Sequence, residues 1–122
     1  MKTAKPTLGP LQYGVIVLTV LTALLHIGLG SSFFQDVMGK IFILNGLGYL
    51  SLLAALYFLP QFAGMRSLVR WALIAFTAVT IVGYFVLNPM ALTSPPGLVD
   101  KAIEVALIVL LFLESRRYSK AP

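Results

Sequence analysis

Apolar residues in this chain do not alternate with polar ones; they run on in four long stretches. These cover about Leu11–Gly30, Ile41–Pro60, Ser67–Leu87 and Leu98–Leu113. A helix needs roughly 20 predominantly apolar residues to cross the hydrocarbon core of a bilayer. The first three stretches meet that length. The fourth is slightly short and reaches it if Asp100 and Lys101 sit at the interface and Glu114 begins the exit. Backbone polar groups in lipid are satisfied only by helices or closed barrels, and runs without period-two alternation predict helices. The breaks between runs carry turn chemistry: Gly30-Ser31-Ser32, then Pro60 and Gly64, then Asn88-Pro89 and Ser94-Pro95-Pro96-Gly97. Short connections of this kind place consecutive helices antiparallel and side by side. The expected fold is an all-α membrane protein, a single domain over 1–122 with four transmembrane helices in an up-down bundle.

Composition narrows the class further. Hydrophobic residues make up 59% of the 122 and charged residues 11%, against about 45–50% and about 25% in soluble domains. Disorder is excluded by the hydrophobicity. A disulfide scaffold is excluded because there is no cysteine. With no thiol and one histidine, zinc and iron–sulfur sites of the usual kinds are not expected, so no metal ligand is assigned and no cofactor is named. The net charge of +5 does not indicate nucleic acid, since the basic residues stand at the ends of apolar runs and form no stripe.

Those basic residues predict an orientation. Lys2, Lys5, Arg66, Arg70, Arg116, Arg117 and Lys120 fall on one side; Lys40 and Lys101 fall on the other. By the positive-inside rule both termini are cytoplasmic. The site is expected in the cell membrane of a prokaryote. The first stretch reads as a retained membrane helix, because Gly28-Leu29-Gly30 is a poor signal-peptidase site and the apolar run is too long.

The polar residues inside the runs recur at helical spacing: Thr19, Thr22 and His26; Asn45, Gly48, Ser51 and Ala55; Thr77, Thr80 and Tyr84; Asp100 and Glu104. Small and hydroxyl residues mark helix contacts in membranes, and most of the stripe reads as packing. Depth singles out a subset. At 1.5 Å per residue His26 and Asn45 lie about 6 Å inside the outer end of their spans, Glu104 about 9 Å, Thr80 about 10 Å and Tyr84 about 5 Å. The opposite half is expected to hold only Leu, Ile, Val and Ala. An ionisable side chain at depth is costly and faces the bundle interior. His26, Asn45, Tyr49, Thr80, Tyr84, Asp100, Lys101 and Glu104 are therefore the candidates for ligand binding or proton relay. An ion pair between Lys101 and Glu104, three residues apart, is the simplest role for both. Trp71, Tyr57, Phe58, Phe33 and Phe34 read as interfacial anchors, and Arg66 and Arg70 as headgroup contacts.

Two segments, Leu25-His26-Ile27-Gly28-Leu29-Gly30 with Asn45-Gly46-Leu47-Gly48-Tyr49, and Gly97-Leu98-Val99-Asp100-Lys101-Ala102-Ile103-Glu104-Val105, resemble a family of small four-helix prokaryotic membrane proteins of unknown function, met in haloarchaea and some bacteria. The resemblance implies the four-helix membrane fold and no activity. Small multidrug-resistance transporters match in size and span count, but they carry an embedded acid in the first helix, and none stands there in this chain.

No catalytic residue is assigned, and an enzyme is the less favoured class. The leading expectation is a protein that binds a partner membrane protein, a lipid or a hydrophobic ligand through its outer-leaflet polar layer, with homo-oligomers possible. A small oligomeric transporter or proton-coupled carrier using Glu104 and His26 is the first alternative. A quinone-, haem- or pigment-binding redox component is the second.

Overall fold

In the computed structural model, which describes residues 8–119, every regular element is helical. The expectations for Lys2, Lys5 and Lys120 lie outside the described residues. Four long helices follow in order: α1 (Pro10–Ser32), α2 (Val37–Tyr57), α3 (Arg66–Leu87) and α4 (Pro95–Ser119), with a short 3-10 helix over Pro60–Met65 between α2 and α3. Pro10 opens α1, where its missing N–H costs nothing. The Gln12 side-chain oxygen accepts the Gly9 N–H at 3.0 Å. Between α3 and α4, Asn88 Oδ1 accepts the Met90 N–H at 3.0 Å, the local turn chemistry expected of Asn.

Three segments are long and apolar enough to cross a membrane: Pro10–Ser32, Val37–Tyr57 and Pro60–Leu87. They mark a membrane protein. The helix bounds differ from the apolar runs read along the sequence in two places. α2 starts at Val37 and ends at Tyr57, so its window lies nearer the N-terminus than 41–60; Pro60 belongs to the 3-10 turn. α4 runs over Pro95–Ser119 and is far longer than 98–113, because Asp100, Lys101, Glu104 and Glu114 are helical and buried rather than terminal.

Each helix packs on two others, α1 on α2 and α4, α3 on α2 and α4. The inward seams step by three and four residues. On α1 the buried positions include Gln12, Val15, Thr19, Thr22 and His26. On α2 they are Gly39, Gly46, Tyr49, Leu53, Leu56 and Tyr57. On α4 they include Glu104, Leu107, Leu111 and Glu114. Alternating steps of three and four keep one face toward a neighbour along the whole helix. Outward faces are as apolar as the core: Leu24, Leu44, Val79 and Val86 are all exposed. In lipid such faces carry no penalty, so the seam shows itself through small and polar residues.

α1 and α2 approach most closely. A side-chain carbon added at Gly46 would stand 2.7 Å from the Ala23 carbonyl oxygen and 2.6 Å from Ile27. Only glycine allows backbones that near. The α2 stripe predicted from sequence is partly misplaced: Ser51 is exposed and bonds back to the Leu47 carbonyl, while Gly46 and Tyr49 hold the inward positions.

Candidate functional site

The polar side chains gather in two clusters, one toward each end of the packed helices. The first joins α1, α2 and α4. Thr22 Oγ1 lies 2.6 Å from Asp100 Oδ1 and 3.0 Å from Glu104 Oε2. Thr22 has one hydroxyl proton, so it serves one carboxylate at a time. The Tyr49 hydroxyl donates to Glu104 Oε2 at 2.7 Å. Lys101 Nζ pairs with Asp100 Oδ2 at 3.1 Å and also with Glu104 Oε1. All six of Thr22, His26, Tyr49, Asp100, Lys101 and Glu104 are buried, Thr22, Tyr49 and Glu104 completely.

His26 is oriented by its own helix. Its Nδ1 lies 2.8 Å from the Thr22 carbonyl oxygen, so Nδ1 carries hydrogen and donates. Nε2 then faces α4, 3.6 Å from Asp100 Oδ2 and 3.9 Å from Glu104 Oε2. Both distances are too long for hydrogen bonds. The ring is also packed between Phe42, with centroids 5.4 Å apart, and Tyr49, at 5.9 Å.

Asn45, Thr80 and Tyr84, predicted as members of the same layer, form contacts of their own. Asn45 Nδ2 donates to Thr80 Oγ1 at 2.8 Å, joining α2 to α3, and Thr80 in turn donates to the Phe76 carbonyl. Asn45 Oδ1 is buried without a hydrogen-bond partner. Tyr84 donates to the Ala91 carbonyl oxygen at 2.8 Å and ties α3 to the following loop. Its ring lies beneath Lys101, 4.9 Å from Nζ to centroid.

Between these two groups lies a cavity of about 250 Å³. His26, Asp100 and Lys101 border it on one side, Asn45 and Thr80 on another, and the rest of its wall is largely apolar, including Phe42, Phe76 and Gly83. Ile41, Val79 and Leu87 also line it, and all three are exposed on the outside of the molecule. The cavity therefore opens sideways, between α2 and α3, through a rim of aliphatic side chains.

The second cluster overturns the expectation of a purely aliphatic opposite half. Glu114, 1% exposed, accepts from Gln12 Nε2 at 2.7 Å, from the Tyr57 hydroxyl at 2.7 Å and from Arg70 Nε at 2.8 Å. One residue from each long helix thus meets in one place. Arg70 and Tyr57 are buried, so neither is the headgroup contact or interfacial anchor expected of it. Trp71, Phe58 and Phe34 are exposed as anchors would be, and Arg66 bonds the Leu56 carbonyl oxygen through Nε at 3.2 Å.

Sequence reasoning missed Gln12, Tyr57, Arg70 and Glu114 because each stands near a run's end, where a polar residue looks solvated. A signal was present: Glu104, Leu107, Leu111 and Glu114 keep one helical face, as do Gln12, Val15, Thr19 and Thr22. Continuing each stripe along its face, through Leu107 and Leu111 on α4 and through Val15 on α1, reaches the second cluster. Thr22 stood in the predicted stripe but not among the site residues.

No protein-family model, no curated protein sequence and no solved structure matches this chain.

Proposed function

We propose that this chain is a multi-pass protein of the cell membrane, with four antiparallel spans and both termini cytoplasmic, and that it binds a lipid-soluble small molecule or lipid in the cavity between α2 and α3. Antiparallel order is supported by the contacts between α1 and α4: Gln12 meets Glu114 whereas Thr22 meets Asp100 and Glu104. α4 qualifies as the fourth span despite its charges, because Asp100, Lys101, Glu104 and Glu114 are all turned inward. The positive-inside count favours cytoplasmic termini.

The cavity carries the functional reading. Its aliphatic rim suits entry from the acyl-chain region and its walls suit an apolar body. Its inner border, with His26, Asp100, Lys101 and the Asn45–Thr80 pair, suits one polar head. Sites for small molecules combine mostly apolar walls with a few placed polar groups in this way. Passage of a solute along the helix axis is less well supported. Leu53, Leu56, Leu73, Leu107 and Leu111 are buried together in the core between the two polar clusters and form an apolar layer there.

Gly83 offers the test. It borders the cavity, and a side-chain carbon added there meets nothing within 4 Å, so a larger side chain can start there without a clash and Gly83→Leu is expected to occupy the cavity. The chain is extracted gently into nanodiscs and its retained small molecules are measured by native mass spectrometry. The wild type is expected to hold a lipid-soluble species that Gly83→Leu loses. Equal retention by both, or none by the wild type, contradicts the proposal.

A further inference from the structure

We infer that His26, Asp100 and Glu104 form a binding site for one first-row divalent cation of the zinc type, and that Lys101 is the internal cation it displaces. The inference does not depend on the ligand proposed for the neighbouring cavity.

His26 Nε2 carries it. With Nδ1 donating to the Thr22 carbonyl at 2.8 Å, a neutral imidazole presents the Nε2 lone pair toward Asp100 Oδ2 and Glu104 Oε2. Three electron-rich atoms thus face one another inside the protein, where unshielded repulsion is strongest. The positive charge beside them is Lys101 Nζ, 3.1 Å from the same Asp100 Oδ2 and paired with Glu104 as well. A shared proton would draw Nε2 to about 2.7–2.9 Å from a carboxylate oxygen. The observed 3.6 and 3.9 Å are longer than that. They approach the spacing of ligands that share a cation: nitrogen and oxygen about 2.1 Å from zinc stand roughly 3–3.5 Å apart. All three ligand atoms lie within 4.8 Å of one another.

The surrounding bonds are those that hold metal ligands in place. A ligating histidine commonly donates its other nitrogen to a backbone carbonyl, and ligating carboxylates are themselves hydrogen-bonded. Here Thr22 bonds Asp100 through Oδ1, the oxygen turned away from His26, and Tyr49 fixes Glu104. Nitrogen with two carboxylate oxygens suits zinc and its neighbours in the first row.

Charge explains the place of Lys101. Two carboxylates meet one ammonium, which bonds both, and this leaves one negative charge uncompensated when His26 is neutral. A divalent ion balances both carboxylates by itself and frees the ammonium. Lys101 Nζ already lies 4.9 Å from the Tyr84 ring centroid, so the aromatic face attracts the ammonium even when the carboxylates turn to the metal. Both Lys101 and His26 border the cavity, which leaves the displaced ammonium space beside the site.

Zinc uptake by the full chain, carrying no histidine tag and held in nanodiscs, tests this by equilibrium dialysis, with cobalt(II) absorption reporting coordination. The wild type is expected to bind one zinc per chain. His26→Ala should weaken binding by about tenfold or more, by the usual cost of losing part of a metal's coordination. Lys101→Met should bind more tightly than the wild type, a change that a stray surface site would not show. The inference is overturned if Lys101→Met, with the wild-type circular dichroism, binds no zinc, or if His26→Ala binds zinc as well as the wild type. It is equally overturned if Asp36→Asn, which changes an exposed carboxylate, removes the binding.

Discussion

Glu104 and Glu114 lie on one face of α4, ten residues and about 15 Å apart, and each is fully buried with a tyrosine of α2 bonded to one of its oxygens: Tyr49 to Glu104, Tyr57 to Glu114. A helix of this kind cannot face lipid on that side. The acids pin α4 to its neighbours at two levels, with leucines between them.

Breaking the lower level should be costly. Removing one partner of a buried ion pair leaves a charge without compensation, at about 3–5 kcal/mol. Arg70→Leu, which strands Glu114, is expected to lower the midpoint of thermal unfolding sharply. Replacing both Arg70 and Glu114 by leucine should recover much of that loss. Melting followed by circular dichroism in detergent checks it, and a double variant no more stable than the single one counts against the pairing.

Tyr49→Phe removes a single hydroxyl that donates to a buried carboxylate. The expected loss is about 1.5–3 kcal/mol, the range for hydrogen bonds to charged groups. Ser51→Ala, on the exposed face of the same helix, should change stability little. Equal effects in chemical unfolding would show that Tyr49 does not reach Glu104.

The α1–α2 contact depends on backbone proximity. Gly46→Leu places atoms where Ala23 and Ile27 already stand and is expected to destabilise by at least about 1–3 kcal/mol, as overpacking does. Gly28→Ala meets nothing within 4 Å and should be neutral or slightly stabilising, since alanine favours helices. Expression level and melting temperature of the two variants read out the difference.

Orientation has its own test. Reporter fusions at either end should both be active in the cytoplasm and inactive outside it. Opposite behaviour of the two ends would mean an odd number of crossings and would remove α4 as a span.

The helices were legible from the sequence because lipid imposes length and composition on them, and His26, Tyr49, Asp100, Lys101 and Glu104 could be singled out because charge at depth is rare. Their partners were harder. That Asn45 pairs with Thr80 rather than with Glu104 depends on the rotation of α2, and a helix greasy on all sides gives no clue to rotation. Arg70 and Glu114 were misread for a related reason. Positive charge near a run's end looks the same whether it meets water or a buried acid forty-four residues away.

The seam between α1 and α4 underlies both clusters, and it can be locked directly. Gly14 and Leu110 face one another across it, with an added carbon at Gly14 falling 2.8 Å from Leu110 Cδ1. The chain has no cysteine of its own, so a disulfide between Gly14→Cys and Leu110→Cys reports this contact alone. Mild oxidation in native membranes should yield an intramolecular crosslink, while Gly14→Cys with Val105→Cys, whose second site is exposed, should yield none. Crosslinking through the exposed site, with none between 14 and 110, would contradict the packing on which both polar clusters rest.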